Sequence, residues 1–231
     1  MEVTMQVVAR IHTDFKTKFG IPRQSGLVQD LQAKIIFEEP YRDPNAVRGI
    51  EGFSHLWLIW QFSEAVRKGW SPTVKPPRLG GNTRMGVFAT RSPFRPSPVG
   101  LSCVRLERVE IDPELGPVIH VSGADLMDGT PILDIKPYVP YADSHPDASE
   151  GFTSQNRDYE LKVEFPEELL NTVPADRRAG LLGVLAQDPR PSYQDDPERT
   201  YGMTFAGFDI RFRVQNDVLT VFDVVNIHDE K

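Results

Sequence analysis

A glycine- and proline-rich stretch between Lys75 and Ser102 combines residue types that suit the binding of an anion. Its glycines let a ligand approach the backbone closely, and its prolines stiffen the chain and reduce the entropy lost on ordering it. Four arginines, whose planar guanidinium groups match carboxylates and phosphates, lie within it: Arg78, Arg84, Arg91 and Arg95. A purely structural connection would account for the prolines but not for the arginines.

The charge distribution marks the same region. The chain of 231 residues carries a net charge of −7. The window from Arg67 to Arg108 contains nine Lys or Arg and one acid, Glu107, so it carries +8 while the rest of the chain carries −15. One basic region in an otherwise acidic protein suits a protein that contacts phosphates at one place. A solvated loop whose arginines pair with acids elsewhere in the fold would give the same pattern, so charge leaves both interpretations open.

Composition excludes several classes of protein. With 39% hydrophobic and 26% charged residues, the chain is typical of a soluble globular protein. No apolar run reaches the length of a membrane span and no export signal is recognisable, so we expect a cytoplasmic protein without a membrane partner. The one cysteine, Cys103, lies in an alternating run and is interpreted as a small buried residue. The five histidines show no metal-ligand spacing, so no metal is expected.

Hydrophobic periodicity predicts a mainly β protein. Short strand-like segments separated by Gly, Pro, Asn and Asp follow one another without long helices, which indicates an antiparallel barrel or sandwich. The predicted strands are Gln6–His12, Gln32–Phe37, Phe53–Phe62, Met85–Thr90, Ser102–Ile111, Val118–Gly123 and Pro131–Ile135.

A polar, turn-rich stretch, Tyr141–Asn156, suggests a domain boundary, with one domain at residues 1–145 and a small α+β domain at 146–231. In the second domain the pattern predicts a hairpin turn at Gln215–Asp217. The other predicted elements of that domain are a strand at Tyr159–Phe165, helices at Glu167–Asn171 and Ala175–Ala186, and strands at Phe208–Val214 and Val218–Val225.

Five sequence blocks together resemble the TrmO family (TsaA-like) of tRNA methyltransferases. They are Gly20–Leu27, Arg48–Trp57, Lys75–Ser102, Asp125–Tyr138 and Asp188–Tyr193. The resemblance spans nearly the whole chain. It implies methylation of N6 of threonylcarbamoyladenosine at position 37 of tRNA. It also implies an antiparallel β-barrel that binds S-adenosylmethionine, and a homodimer with the cofactor near the subunit interface.

The resemblance also implies the cofactor-binding residues. They fall on four blocks: Arg23, Gln24, Ser25 and Gly26; Ser63 and Glu64; Arg91 and Leu101; and Asp125, Leu126, Met127 and Asp128. The family often has proline at the position of Ser25, which matters little if the backbone makes the contact. Cofactor chemistry agrees with these types: Arg91 or Arg23 suits the carboxylate, and acids such as Asp125 suit the ammonium and sulfonium groups. As an alternative, the two aspartates of Asp125–Gly129 form a tight turn only.

The acceptor nitrogen of threonylcarbamoyladenosine must lose a proton. Candidates that accept or relay it, or that stabilise charge on the urea oxygen, are Asp125, Asp134, Lys136 and Tyr138, and the sequence does not single out one base. Phosphate contacts are predicted for Arg78, Arg84 and Arg95, and Phe94 or Tyr138 is expected to stack on an unpaired base of the anticodon loop. Arg190 is predicted to reach the RNA or the partner's site, with a buried ion pair that holds the domain interface as the alternative.

Two other functions remain open from the sequence. One is a non-catalytic regulatory protein that binds S-adenosylmethionine or RNA, against which the intact Asp125–Tyr138 block speaks. The other is methylation of a small molecule, against which the basic window speaks.

Overall fold

A computed structural model of the chain describes residues 3–66, 69–76, 83–156, 159–190 and 196–227. The strands are β1 Ala9–His12, β2 Gln32–Phe37, β3 His55–Gln61, β4 Thr73–Val74, β5 Met85–Gly86, β6 Val99–Asp112, β7 Gly116–Ser122, β8 Pro131–Pro137, β9 Lys162–Glu164, β10 Tyr201–Phe205, β11 Phe208–Gln215 and β12 Val218–Asn226. The α-helices are α1 Pro140–Asp143, α2 Glu167–Leu170 and α3 Ala175–Ala186. Short 3₁₀ helices form at Glu39–Tyr41, Pro44–Val47, Ile50–Gly52, Ser63–Ala65, Val87–Ala89 and Gly151–Asn156.

Six strands close into a barrel in the order β1-β2-β7-β6-β3-β8, and every neighbouring pair is antiparallel. Strand β3 shows why this sequence forms a closed barrel. Its Leu56, Leu58 and Trp60 are buried in the barrel, while the alternate residues are only partly covered on the outside. Strand β6 spans two neighbours, because its first half pairs with β3 and its second half with β7. The predicted antiparallel barrel is confirmed.

The C-terminal residues form a sheet that packs against a helix. Strands β10, β11, β12 and β9 make a four-stranded sheet in which β9 is parallel to β12, and α3 supplies Leu181, Val184 and Leu185 to the core beneath it. The same core contains Phe15, Val28 and Leu31 from the connection between β1 and β2. A segment of the N-terminal half therefore completes the C-terminal core, whereas the predicted division at residue 145 remains a prediction.

Several predicted elements differ from the structure. The predicted strand Met85–Thr90 is wrong beyond Gly86, because Val87–Ala89 forms a 3₁₀ helix. Strand β10 has no counterpart in the prediction. The hairpin at Gln215–Asp217 is confirmed, since Asn216 and Asp217 have φ values of +50° and +59°, which a tight two-residue turn between twisted strands requires.

Neither membrane-spanning helices nor metal-holding groups were found where the structure describes the chain. No helix in the described ranges is long and apolar enough to cross a bilayer. Within the same ranges, no three His, Cys, Asp or Glu side chains gather so that they could hold a metal ion.

Gly100 at the start of β6 is required by the ring of Trp60. A Cβ atom at this position would lie 2.3 Å from Cε2 of the indole, and the backbone on both sides is paired with β3. We expect Gly100→Ala to lower the free energy of unfolding by about 1–3 kcal/mol because the buried ring has to shift. Chemical denaturation measures this loss. Gly52→Ala is the matched control, since a Cβ at Gly52 meets no atom within 4 Å; equal losses in both variants would contradict the packing explanation.

Candidate active site

The loop between β7 and β8 carries Asp125 to one end of the barrel. The connection between β1 and β2 fastens it there: the Gly26 N–H donates to the Gly123 carbonyl at 2.9 Å, and the Gly123 N–H donates to the Leu31 carbonyl at 2.9 Å. Gly123 adopts φ +77°, a backbone conformation that glycine allows without strain. Two segments that are about a hundred residues apart in sequence are thereby joined beside Asp125.

A chain of hydrogen bonds leads from the barrel interior to this carboxylate. The Trp60 indole N–H donates to Ser102 Oγ at 2.9 Å, and the Ser102 hydroxyl donates to Asp125 Oδ1 at 2.6 Å. Ser102 is only 1% exposed. Burial raises the pKa of Asp125 above its ordinary value, and the Ser102 hydrogen bond and the nearby Arg91 charge offset that effect only in part. Asp125 is thus a partly buried carboxylate whose orientation is set by a hydrogen bond from a buried hydroxyl.

The first and third predicted cofactor blocks meet beside it. The Arg91 guanidinium donates to Gln24 Oε1, and Ser25 Oγ accepts the Cys103 N–H at 3.0 Å. Leu101, next to Ser102 in β6, faces outward and is 50% exposed. Gln24, Ser25, Arg91, Leu101 and Asp125 are therefore gathered at one end of the barrel around β6.

The other predicted cofactor residues make contacts within the chain. The Leu126 side chain is 1% exposed and belongs to the barrel core, so only its backbone is accessible to a ligand. The Glu64 carbonyl, in the 3₁₀ turn that follows β3 and begins at Ser63, accepts the Lys18 ammonium at 3.3 Å. The Met127 carbonyl accepts the Thr130 hydroxyl at 2.6 Å. Arg23 reaches the Asp188 carbonyl at 3.5 Å.

Asp128 points elsewhere. Its carboxylate accepts the Thr13 N–H at 3.1 Å and the Lys16 ammonium at 2.5 Å. Burial acts to raise the pKa of Asp128, but the bonds from Lys16 and Thr13 outweigh it and hold the pKa below its ordinary value. It lines a cleft of about 630 Å³ between the barrel and α3, whose lining includes Arg177 and does not include Asp125. Asp125 and Asp128 thus contact different parts of the protein.

The predicted catalytic residues divide between the two faces of the barrel wall. Lys136 pairs with Trp57 across β8 and β3, on the outside, and its ammonium lies 2.8 Å from Asp134 Oδ2. The Tyr138 ring packs against Trp57 with 5.8 Å between ring centroids. Asp125, in contrast, is bonded to the inward-facing Ser102. Lys136, Tyr138 and Asp134 form an outer group, on the same face of the wall as Leu101, since Leu101 and Asp134 both pair with Ile59 of β3.

The predicted RNA-binding arginines have intramolecular partners. Arg84 donates to Thr73 Oγ1 at 2.7 Å across the β4–β5 pair, and Arg95 donates to the Thr90 carbonyl at 2.9 Å. The Arg190 guanidinium makes two bonds to the Asp188 carboxylate, at 2.8 and 3.0 Å. Arg78 lies outside the described residues. The structure thus gives Arg190 a largely buried ion pair with a residue of its own loop, while Arg84 and Arg95 remain on the basic stretch.

Trp60 and Ser102 are site residues that the sequence prediction did not assign. Both lie at inward positions of paired strands, where alternation predicts apolar side chains. A serine at such a position, two residues after a glycine that faces a tryptophan, is the signal that was available. The role of Ser102 depends on its partner Asp125, and the sequence does not show that the two residues are close in space.

The cofactor implied by the resemblance fits this group of residues. S-adenosylmethionine carries a carboxylate, an ammonium, a sulfonium and an adenine. Arg91 would hold the first with its guanidinium, Asp125 would face the cationic groups, and the half-exposed Leu101 would offer an apolar surface to the base. Arg91, Gln24 and Asp125 are already oriented by hydrogen bonds, which reduces the entropy lost on binding.

Comparisons with known proteins show the family of this chain. The family model of the tRNA-methyltransferase O N-terminal domain matches residues 10–144, and that of the TrmO C-terminal domain matches residues 158–227. The chain belongs to the tRNA-methyltransferase O family. The family's tRNA (adenine(37)-N6)-methyltransferase from Escherichia coli (strain K12) is 43% identical over 220 residues, which cover 92% of this chain and 93% of that protein.

Two further relatives extend the similarity. A protein of Pseudomonas aeruginosa (strain PAO1), named as a candidate S-adenosylmethionine-dependent methyltransferase, is 38% identical over 239 residues, covering 97% of this chain and 98% of that protein. A crystal structure of TrmO from Pseudomonas aeruginosa has a TM-score of 0.78 at 33% identity, covering 97% of this chain and 100% of that one. The family resemblance of the sequence blocks is confirmed over both halves of the chain.

The opposite pKa shifts of the two aspartates predict opposite effects of Asp→Asn replacement. Because the pKa of Asp125 is raised in the folded chain, folding favours its neutral form, and that contribution is present at low pH and lost as pH rises through the folded-state pKa. We therefore expect Asp125→Asn to melt at the wild-type temperature or above it at pH 7, while its Kd for S-adenosylmethionine rises about tenfold or more.

Asp128→Asn is the matched variant. The pKa of Asp128 is lowered, so its ionised form stabilises the fold at neutral pH and that contribution disappears as pH falls through the folded-state pKa. We expect a loss of about 1 kcal/mol at pH 7. Thermal melts from pH 4 to 8 and cofactor titration measure both variants. Weaker cofactor binding by Asp128→Asn alone would contradict this assignment of the two carboxylates.

Proposed function

We propose that this chain transfers a methyl group from S-adenosylmethionine to N6 of threonylcarbamoyladenosine at position 37 of tRNA. The observation that carries the proposal is the group of Gln24, Ser25, Arg91 and Asp125, brought together from three parts of the chain. The names of the relatives supply the substrate and the donor: tRNA adenine 37 for the Escherichia coli protein, and S-adenosylmethionine for the Pseudomonas aeruginosa protein. Full-length similarity to both supports extending the activity to this chain.

The contribution of the chain's own residues is mainly binding and alignment. S-adenosylmethionine, when bound, supplies a methyl group on a positively charged sulfur and is thus already activated for transfer. Arg91 and Asp125 bind its charged groups, and Leu101 covers an apolar part. Such alignment and removal of water can lower a barrier by roughly 7–11 kcal/mol in well-oriented systems. Further polar assistance is needed mostly at the acceptor.

The acceptor nitrogen is the harder half of the reaction. It lies between a purine ring and a urea carbonyl, so its lone pair is delocalised and its proton must leave. Asp125 is a better base than an ordinary carboxylate, because burial raises its pKa. Lys136, held by Asp134, is positioned on the outer face for charge on the urea oxygen, and Tyr138 is the alternative relay. These roles complete the proposed catalytic set of Asp125, Lys136 and Tyr138.

The tRNA is proposed to approach along the basic stretch. Arg84 and Arg95 lie on it, and their remaining guanidinium N–H groups are suited to phosphates of the anticodon loop. We also propose a homodimer in the cytoplasm. The family to which the chain belongs supports it, because the family resemblance of the sequence implies a homodimer with the cofactor near the subunit interface.

One assay tests the activity itself. The pure protein is incubated with S-adenosylmethionine and with tRNA from cells that lack the enzyme, and nucleosides are then analysed by mass spectrometry. We expect threonylcarbamoyladenosine to gain one methyl group. Cofactor binding without any mass increase would overturn the proposal and leave a non-catalytic binding protein; a methylated small molecule with unchanged tRNA would overturn it in favour of another acceptor.

Two arginine variants separate cofactor binding from tRNA binding. Arg91→Ala removes a charge-assisted hydrogen bond donor, and we expect the Kd for S-adenosylmethionine to rise about 10- to 100-fold. Arg84→Ala, in the same stretch but bonded only to Thr73 among the contacts described, should leave cofactor binding unchanged and weaken tRNA binding by several-fold. Calorimetry and filter binding give the two constants. The assignment of Arg91 to the cofactor and Arg84 to tRNA is wrong if both variants weaken binding of the same ligand.

A further inference from the structure

The excursion between β3 and β6 (residues 66–98) presents two aromatic rings to solvent. Trp70 is 55% exposed and Phe88 is 73% exposed. Their ring centroids lie 6.2 Å apart with an angle of 38° between the planes, so the rings are neighbours that leave much of their surface uncovered. Large apolar rings exposed side by side lose the free energy that burial would provide, and such surfaces commonly bind a partner.

The rings are exposed although the backbone that carries them is tethered. Strands β4 and β5 pair through Thr73 with Gly86 and Val74 with Met85. The Val87 N–H donates to the Pro72 carbonyl at 2.9 Å, and the Val87 side chain is almost completely buried. Phe88 is the next residue, within the 3₁₀ turn Val87–Ala89. The fold therefore buries the valine and directs the phenylalanine outward beside Trp70.

The charge around the rings selects the partner. From Ala65 to Leu106 the chain contains no Asp or Glu, and the described part of the excursion carries Lys75, Arg84, Arg91 and Arg95. Such a basic stretch of sequence without acidic residues attracts a polyanion. A second copy of the chain is disfavoured here, because a symmetric contact would place the same patch against itself and oppose two basic surfaces.

We propose that Trp70 and Phe88 form a stacking platform for an unpaired nucleobase of the tRNA. Aromatic side chains that alternate with basic ones are suited to single-stranded RNA, because the rings take the faces of the bases while the cations hold the phosphates. The platform rests on the proposed function, since it requires tRNA as the substrate. It adds two residues that bind substrate and that differ from the cofactor group.

Ring removal tests the platform. Trp70→Ala and Phe88→Ala should each raise the Kd for substrate tRNA roughly tenfold, whereas Trp70→Phe, which keeps a ring, should stay near the wild-type value. Phe222→Ala is the matched control, since this exposed ring lies on β12 of the C-terminal sheet. The plot of log Kd against log salt should keep its slope in the ring variants, while Arg84→Ala should reduce the slope by about one.

The outcomes separate this inference from the proposed function. Wild-type methylation of tRNA together with ring variants that bind tRNA as wild type does would overturn the platform and leave the function intact. A reduced molecular mass of the ring variants in sedimentation would overturn it as well, because the rings would then hold two copies together. Unchanged mass and cofactor affinity, with weaker tRNA binding and an unchanged salt slope, are the results expected. Absence of methylation in the wild type would overturn the proposed function instead.

Discussion

The hydrogen bonds from Trp60 to Ser102 and from Ser102 to Asp125 connect the interior of the barrel with the candidate active site. A buried carboxylate is costly unless it is hydrogen-bonded, and Ser102 provides that bond from inside the wall. Ser102 is itself oriented by the Trp60 indole, and the indole has room only because residue 100 is glycine. The orientation of Asp125 thus depends on the packing of Trp60 against Gly100, although neither residue touches the carboxylate in this chain of bonds.

The connection between β1 and β2 couples the two halves of the chain to this site. Phe15, Val28 and Leu31 from this connection are buried in the C-terminal core, while Gln24 and Ser25 between them contact Arg91 and Cys103. Gly20 packs so closely on Met203 of β10 that a Cβ atom would lie 2.2 Å from its sulfur. Disturbance of the C-terminal sheet is therefore expected to reach the cofactor group, although the sheet supplies none of the residues that we assign to it.

Charge is segregated along the chain in a way that suits a tRNA substrate. The acid-free stretch places arginines beside the barrel end, whereas the remaining surface is strongly acidic. An acidic body disfavours non-specific contact with RNA, so productive encounters concentrate at the basic face. The arginines of that face have different partners. Arg91 donates to Gln24 in the cofactor group, whereas Arg84 donates to Thr73 on the β4–β5 hairpin.

The sequence by itself determined the strand periodicity, the family, the charge segregation and the blocks that meet at the site, because these depend on residue type and local spacing. Strand β2 and helix α3 were predicted with the bounds they have. Only the tertiary structure decided that Asp125 is partly buried and bonded to Ser102 while Asp128 is bonded to Lys16, and that Arg190 is paired with Asp188. The physical reason is that hydrogen-bond partners and burial arise from contacts between distant segments. Closure of the barrel brings Trp60, Ser102 and Asp125 together, and no local pattern records it.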